Sequence, residues 1–400
     1  MTIQDFLDNH RAAAEHINAM ESLAMLLEDM KLGLSGQGNI PMLPSYLNPH
    51  ISIPAGAQCC VLDAGGTNLR TALAVFDETG TCRLEQIEKQ PMPGTEGVLS
   101  SNAFYGMLAE PLRRLGHYER VGFCFSYNAT IGRDLDGILD YWCKEVQVPE
   151  AVGCPVGASL QSALGDSCRQ ICVLNDSVAA MLGVEDVQAG IILGTGVNIC
   201  YTEQCHNIPK IQESLNSDVM IISTEVGEFA RIPKSDFEQA VVAASDAPNN
   251  AQAEKQCAGG YLGRIITRAW NTAALEGLLP PAFRNGHWNL AEISEYLTDA
   301  AASPIAYHLH AVEIARATIR RAAKIAAILC AGPLLRISGH EGPLKIAMEG
   351  SQYWKLTGFR DAFHRELDAL LKPAGIRYEI VKSENACLIG AARAAFAEKM

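Results

Sequence analysis

The turn at residues 65–67, Gly-Gly-Thr, constrains the fold most strongly because two apolar runs meet there. The run at 59–62 delivers a single carboxylate, Asp63, to the turn, and the alternating run at 69–76 leads away from it. A further turn and the run at 82–87 complete a predicted three-stranded meander. The chain therefore places an acidic residue beside a flexible turn at one end of a small antiparallel unit.

This turn carries the groups that a phosphate site needs. The adjacent glycines Gly65 and Gly66 let backbone approach a bulky ligand, and exposed N–H groups there form an anion-binding concavity. Asp63 could hold Mg²⁺, usually through water. The side chains that could donate to phosphate are Thr67, Asn68 and Arg70. An ordinary hairpin turn would also explain Gly-Gly-Thr, so the phosphate interpretation depends on the rest of the chain.

The same pattern returns roughly 130 residues later in the chain. An apolar run at 189–193 leads into Gly194, Thr195 and Gly196, and a run at 198–202 leads away. This second turn offers backbone amides and a hydroxyl to a terminal phosphate. The two units predict a duplicated α/β core in which two phosphate loops face each other.

The remaining periodicity predicts further helices and strands, with a mostly helical second half. The predicted helices cover residues 3–35, 100–115, 155–164, 177–182, 311–330, 353–371 and 386–397. The predicted strands outside the two units cover residues 121–125, 170–174, 334–337 and 378–381. Residues 136–144 are predicted to form a polar and aromatic loop, and 42–47 an extended connector. Because no low-complexity linker is present, we expect structured elements to cross between the domains.

Length and charge limit the classes of protein to consider. The chain has 400 residues, 48% of them apolar and 19% charged, which is typical of a globular protein with two domains. The net charge of −13 argues against a nucleic acid or an anionic membrane as partner. It does not exclude a nucleotide, since local donors and Mg²⁺ can bind one.

The cysteines indicate a reducing compartment. All 13 are scattered, without a CxxC pair or zinc spacing. Cys59, Cys60, Cys124, Cys172 and Cys200 lie in apolar runs and are interpreted as small buried hydrophobes. With no secretory pattern at the start and no apolar stretch long enough for a bilayer, we expect a cytoplasmic protein.

Asp176 is the first candidate for a general base, because it follows a predicted buried strand and begins a helix. Helix capping is the simpler explanation for an isolated Asn-Asp pair. Polar residues at the ends of other elements favour the catalytic interpretation, since every sugar hydroxyl needs a partner. These residues are Ser126, Lys144, Asn198, Glu225 and Glu254.

Two loops in the last quarter of the chain are candidates for contact with a nucleotide base. One begins at Gly339 and the other covers residues 383–385. The Walker motif GxxxxGK[ST] is absent from the sequence, as are GxGxxG and GxSxG. The predicted phosphate loops are therefore of another type.

The ordered motifs resemble those of the eukaryote-type hexokinases, including glucokinase, along nearly the whole chain. Residues 62–70, LDAGGTNLR, resemble the first phosphate motif, LDLGGTNFR. Residues 193–201, LGTGVNICY, resemble the second phosphate motif, VGTGCNACY. Residues 174–181, LNDSVAAM, are similar to VNDTVATM, which carries the catalytic aspartate of that family.

Other segments resemble the sugar-binding motifs of the family. GFCFS at 122–126 resembles GFTFSFP, and GILDYWCK at 137–144 resembles GILLNWTKGF. STEVGEF at 223–229 resembles NTEWGAF, and residues 254–263 follow EKLIGGKYMGE. Together with MLPSY at 42–46, which resembles MLPTY, the motifs occur in the order of the family.

The resemblance implies an α/β protein with the actin-like ATPase fold, also called ribonuclease H-like, in which two lobes surround a cleft. We expect a small lobe of residues 57–174 plus 385–400 and a large lobe of residues 1–56 plus 175–384. The large lobe would contain the N-terminal helix, the second phosphate loop and the adenosine site. Closure of the lobes would keep water away from the γ-phosphate.

The resemblance also implies a role for each matched residue. Asp176 would take the proton from the sugar 6-hydroxyl. The sugar would be held by Ser126, Lys144, Asn175, Asn198, Glu225 and Glu254. Mg·ATP would be bound by Asp63, Gly65, Gly66, Thr67, Asn68, Arg70, Gly194, Thr195, Gly196 and Gly339, with Asp63 as the metal ligand. The implied activity is ATP-dependent phosphorylation of glucose and related hexoses by a monomer or homodimer.

Departures from the family pattern leave the preferred sugar open. The chain reads Ser-Tyr-Asn at 126–128 where the family has Ser-Phe-Pro. Cys143 replaces a threonine, so a weak sulfur donor stands in place of a hydroxyl. Val226 replaces a tryptophan, and Arg264 replaces an acidic residue. The alternatives are a kinase specific for mannose, fructose or an amino sugar, and a sugar-binding sensor that has lost catalysis.

Overall fold

The computed structural model describes residues 1–116, 118–142, 146–299, 303, 305–337 and 341–400. Its strands are β1 Leu43–Pro44, β2 Gln58–Ala64, β3 Asn68–Phe76, β4 Cys82–Pro91, β5 Arg120–Phe125, β6 Asn128–Ile131, β7 Gly137–Tyr141, β8 Gln170–Leu174, β9 Ala189–Leu193, β10 Val197–Gln204, β11 Val219–Ser223, β12 Leu344–Glu349 and β13 Tyr378–Val381. Its α-helices are α1 Ile3–Asn9, α2 Ala19–Leu34, α3 Ser101–Leu115, α4 Val156–Leu164, α5 Asp176–Leu182, α6 Asp236–Ala243, α7 Glu254–Cys257, α8 Gly259–Leu275, α9 Leu290–Thr298, α10 Leu309–Arg336, α11 Ser351–Lys355, α12 Phe359–Leu371 and α13 Ala386–Ala394.

Two sheets of the same topology form the frame of the molecule. The first has the order β4-β3-β2-β5-β8, and the second has the order β11-β10-β9-β12-β13 with β1 added at its edge. In each sheet the central strand pairs antiparallel with the strand after its turn and parallel with the strand on its other side. The predicted meander and the predicted duplication of the core are both confirmed.

Two helices cross between the sheets. Helix α5 follows the last strand of the first sheet but packs against β9, β10 and β12 of the second, whereas α13 follows β13 and packs against β2 and β5. The two helices also pack against each other, backbone to backbone. A Cβ on Gly183 would lie 2.0 Å from the Ala386 carbonyl oxygen, and a Cβ on Gly390 would lie 1.7 Å from that of Ala179. Glycine at these positions therefore permits the close approach of the helices.

The layer between the sheets is apolar and includes the predicted buried cysteines. Cys59, Cys124, Cys172 and Cys200 belong to this layer, and Cys60 is buried on the opposite face of the first sheet. Their interpretation as buried hydrophobes is confirmed. The predicted lobe boundaries after 174 and before 385 fall where the chain enters the two crossing helices. The division into lobes itself remains a prediction.

The long helix α10 runs through the largest core and carries a buried ion pair. Arg321 Nε donates to Glu238 Oε1 at 2.8 Å, and the side chains of both residues are only 2% exposed. The same guanidinium also donates to the backbone carbonyls of Ala13 and Pro233, so its N–H groups have several acceptors. Within the described residues, no helix has the length and apolar character needed to cross a bilayer.

Two local predictions were wrong. The predicted loop at 136–144 contains β7, which pairs with β6 as a hairpin, while residues 143–145 lie outside the described residues. Residues 334–337 are the end of α10 and the residue after it, and the strand of this region is β12. A short apolar run fits a buried helix as well as a strand, which explains the second error.

Two predicted helices are interrupted. The segment 3–35 divides into α1 and α2, and Asn18 caps the start of α2 by accepting from Glu21 N–H. The segment 353–371 divides into α11 and α12 at Gly358, whose φ of 81° lies in the left-handed region. Periodicity alone does not locate such breaks, because the apolar face continues across them.

Candidate active site

Asp63 and Arg70 face each other across the first turn, which we define as residues 65–67. They are opposite residues of β2 and β3. Arg70 Nε donates to Asp63 Oδ2 at 2.8 Å, and Arg70 Nη2 donates to the same oxygen. Arg70 Nη1 also lies 3.5 Å from Asn385 Oδ1, in the loop before α13. The predicted metal ligand and the predicted phosphate donor are therefore paired with each other, through one carboxylate oxygen.

Backbone bonds hold the first turn on several sides. Gly65 N–H donates to the Asn68 carbonyl at 3.0 Å, and Met92 N–H donates to that of Thr67 at 3.1 Å. Asn68 Nδ2 donates to Thr67 Oγ1 at 2.8 Å. The predicted residues of this turn are thus brought together.

The segment after β5 also contacts the first turn. Ser126 N–H donates to the Ala64 carbonyl at 3.1 Å, which places this predicted sugar residue beside the turn. Tyr127 Oη donates to the Gly65 carbonyl at 2.7 Å. The sequence interpretation did not include Tyr127 in the site, although its replacement of a family phenylalanine was the available signal.

The second turn, residues 194–196, is held by the start of α8. Gly194 N–H donates to the Gly196 carbonyl at 3.0 Å. Gly259 N–H donates to the Gly194 carbonyl at 2.8 Å, and Gly260 N–H to that of Thr195 at 3.0 Å. A Cβ on Gly260 would lie 2.9 Å from this Thr195 oxygen. The glycines of the 254–263 segment therefore position the second turn, a role that the sequence did not indicate.

Asn198 is the centre of a polar cluster, which we define as Asn175, Asn198, Ser223 and Glu225. Its Nδ2 lies 3.3 Å from Asn175 Oδ1, 3.0 Å from Ser223 Oγ and 2.6 Å from Glu225 Oε1. Its Oδ1 accepts from Glu225 N–H at 3.0 Å. Three of the predicted sugar residues, from three different elements, are thus in direct contact.

The capping role at the start of α5 belongs to Asn175. Its Oδ1 accepts from Ser177 N–H at 2.8 Å, as an N-cap side chain does. Asp176 is the first residue of the helix, and its negative charge acts on Glu225. The capping explanation of the Asn-Asp pair therefore holds for Asn175, whereas the role of Asp176 as general base stays a prediction.

Burial raises the pKa of Glu225 to about 7. Hydrogen bonds from Ser223 and Asn198 lower this pKa, whereas the charges of Asp176 and Glu254 raise it. The residue also has a φ of 56°, in the left-handed region that is uncommon for a side chain of this kind. A carboxyl group in a strained backbone position with a shifted pKa is typical of a functional site.

Glu254 connects the polar cluster with the second turn. Its Oε2 accepts from Val197 N–H at 3.0 Å. A Cβ on Gly196 would lie 2.6 Å from the same oxygen, so glycine is needed beside this carboxylate. The structure therefore places Glu254 between the predicted sugar residues and the predicted phosphate loop.

Glu349 is a further acidic residue that the sequence interpretation missed. It ends β12 and precedes Gly350, which packs against the strand before the second turn. Burial raises its pKa, while the charge of Arg70 lowers it and that of Asp63 raises it. A carboxylate of the second sheet thus lies near the first turn. The available sequence signal was an acidic residue followed by a glycine at the end of an apolar run. Because the strand of this region was predicted at 334–337 instead, that run was not recognised as a strand.

Two predicted site residues, Lys144 and Gly339, lie outside the described residues, as does Cys143. The remaining predicted residues lie on the two turns, in the polar cluster and beside them. Among the described residues, no group of three or more His, Cys, Asp or Glu side chains could hold a metal ion. Asp63 and the nearby Glu349 supply carboxylates beside the first turn, and Mg²⁺ prefers oxygen ligands of this kind together with water and phosphate. Such a set of groups suits phosphoryl transfer to a hydroxyl.

Comparison with known proteins gives consistent matches over the chain. A family model described as hexokinase matches residues 2–185, and a second one with this description matches 188–397. Hexokinase-7 of Oryza sativa subsp. japonica is 28% identical, over 93% of this chain and 93% of the rice protein.

Solved structures share the fold. The hexokinase from Schistosoma mansoni complexed with glucose has a TM-score of 0.81 and 22% identity, covering 99% of this chain and 100% of that one. A ROK family glucokinase from Streptomyces griseus, in complex with glucose and AMPPNP, has a TM-score of 0.51 and 18% identity. The match covers 85% of this chain and 99% of that one. The predicted actin-like ATPase fold is confirmed by these likenesses.

Proposed function

The chain belongs to the hexokinase family, and from this premise we propose that it transfers the γ-phosphoryl group of ATP to the 6-hydroxyl of glucose and related hexoses. The observation that carries the proposal is the polar cluster around Asn198, which joins the start of α5, where Asp176 lies, to the strand that leaves the second turn. A sugar needs a partner for each hydroxyl that it buries, and this cluster is rich in amide and carboxyl groups.

In the proposed reaction Asp176 is the general base. It accepts the proton of the sugar 6-hydroxyl while that oxygen attacks the γ-phosphorus, and the bond to the bridging oxygen of ADP breaks. The residues proposed to hold the sugar are Ser126, Lys144, Asn175, Asn198, Glu225 and Glu254. The hydrogen bonds of the polar cluster support this role, because they fix amide and carboxyl groups in one orientation before the sugar arrives.

The two turns are proposed to bind the phosphates of Mg·ATP. Mg²⁺ bound with ATP neutralises phosphate charge during the transfer. Asp63 would face the metal from the first turn, with Arg70 holding its carboxylate in place. Backbone amides of both turns would face phosphate oxygens. Gly339 and the loop at 383–385 are proposed to lie near the base of the nucleotide.

The proposal extends to location and assembly. A reducing compartment, the cytoplasm, is supported by the cysteines, since those of the described residues are all free thiols and most are buried. The net charge of −13 supports a small-molecule partner rather than a nucleic acid or an anionic membrane. We propose a monomer or homodimer.

The decisive experiment measures ADP release from the purified protein with Mg·ATP and a panel of sugars. The panel contains glucose, mannose, fructose, glucosamine and N-acetylglucosamine, with a control that lacks sugar. We expect turnover that depends on glucose and negligible hydrolysis without sugar. Rapid turnover without sugar would contradict the proposal. Sugar binding by calorimetry without turnover would instead indicate a sensor.

A further inference from the structure

Tyr127 joins the segment that carries a proposed sugar residue to the first turn. Ser126 N–H and Tyr127 Oη donate to the carbonyls of Ala64 and Gly65, respectively. Two consecutive residues after β5 therefore hold two consecutive carbonyls of the chain that enters the turn. A displacement of the segment after β5 would therefore displace the first turn, and the reverse is also true.

The bond from Tyr127 fixes the orientation of the peptide between Gly65 and Gly66. In a planar trans peptide, the carbonyl of one residue and the N–H of the next point in opposite directions. Holding the Gly65 carbonyl therefore also sets the direction of Gly66 N–H. With glycine on both sides, no Cβ limits the rotation of this peptide. The tyrosine hydroxyl supplies a restraint that the two glycines lack.

The ring of Tyr127 is rigidly held, so its hydroxyl has a defined position. The residue is 3% exposed. Its ring centroid lies 5.0 Å from that of Phe125 and 4.9 Å from that of Trp142, in tilted and edge-to-face arrangements. The aromatic cluster thus fixes the donor relative to β5, independently of the turn.

We propose that Tyr127 is a positioning residue for phosphate binding. Its hydroxyl orients the peptide between Gly65 and Gly66 so that Gly66 N–H faces the phosphates of Mg·ATP. The inference rests on the proposed kinase function and adds a residue to it. The family motif GFTFSFP has phenylalanine where this chain has Tyr127, so the hydroxyl contact is a feature of this chain.

The test removes only the hydroxyl, with the variant Tyr127→Phe. Loss of one hydrogen bond that orients a binding group should raise the KM for Mg·ATP by about 3- to 10-fold. The KM for glucose should stay within about twofold, because the ring and the Ser126 backbone remain. Hydrogen–deuterium exchange of a peptide covering residues 62–70 should become faster, since the turn loses a restraint.

Tyr118→Phe is the matched control. Tyr118 precedes β5 at the other end of the strand and packs against the same core cluster, so its variant removes a hydroxyl far from the turn. It should leave both KM values and the exchange of 62–70 unchanged. An unchanged KM for Mg·ATP in Tyr127→Phe would overturn the inference. Equal increases in both KM values together with a lower Tm would overturn it too, because they indicate a general packing role.

A failure of the proposed function can be told apart from a failure of this inference. If the wild-type protein has no sugar-dependent turnover, the kinase proposal fails. Calorimetry with Mg·ADP and the exchange of 62–70 still measure the role of Tyr127 in that case. Weaker Mg·ADP binding with faster exchange in Tyr127→Phe alone would support it, and equal values in both variants would refute it.

Discussion

Replacing Glu225 with glutamine should stabilise the sugar-free protein at neutral and alkaline pH. Burial raises the pKa of this carboxyl to about 7 from an ordinary 4.5. Between these two values the folded state holds a proton that the unfolded state has lost. The free energy of unfolding of the wild type therefore falls as the pH rises through this window. Glutamine is neutral throughout, so Glu225→Gln does not lose stability in this way.

The expected magnitude follows from the pKa difference. At about 1.36 kcal/mol for each pH unit, the change from 4.5 to about 7 corresponds to about 3 kcal/mol. Most of this difference between variant and wild type should develop between pH 5 and pH 8. The glutamine oxygen can still accept from Asn198 and Ser223, so the polar cluster keeps these hydrogen bonds.

Urea unfolding of both proteins at pH 5, 6, 7 and 8, without sugar, measures the effect. The slope of the stability difference with pH is the signal, because a constant offset would reflect only altered packing. Glu313→Gln, at an exposed position of α10, is the control for the substitution of glutamate by glutamine itself. Parallel pH profiles for Glu225→Gln and the wild type would refute the assignment of a raised pKa. The variant should also bind glucose more weakly at pH 8, since it lacks the carboxylate acceptor.

Three further substitutions give separate expectations. Asp176→Asn should lower kcat by about 10²–10⁴ while glucose binding by calorimetry stays within about tenfold, and an unchanged kcat would show that another group is the base. Gly350→Ala should lower the unfolding free energy by about 1–3 kcal/mol more than Gly358→Ala, because both have a positive φ but only the first brings a Cβ within 2.1 Å of a backbone oxygen; equal Tm values would contradict this. Arg321→Met should lower the free energy of unfolding in urea by about 3–5 kcal/mol, since it leaves the Glu238 carboxylate buried without its partner. A decrease below about 1 kcal/mol would mean that the ion pair contributes little to stability.

The sequence by itself determined the duplicated core and most candidate residues of the site. An apolar run that ends in a Gly/Thr turn is a local pattern, and strand and turn chemistry are set by neighbours along the chain. For this reason the sequence located Asp63, Asp176 and Gly194 close to the ends of apolar strands, and the order of motifs indicated the family. Local pattern failed at 136–144 and at 334–337, where short runs were compatible with more than one structure.

Only the tertiary structure decided how these residues meet. The crossing of α5 and α13 between the sheets brings Asp176 to the polar cluster, and it depends on contacts between distant parts of the chain. The pKa of Glu225 follows from burial and from the charges of Asp176 and Glu254, none of which is visible in its sequence neighbourhood. The bond from Tyr127 to Gly65 likewise joins residues that are adjacent only after β2 and β5 have paired. Sequence periodicity indicates which faces of the helices and strands are apolar, but it does not indicate which of these faces pack together. Tertiary packing determines those contacts, and they in turn determine the distances and electrostatics of the site.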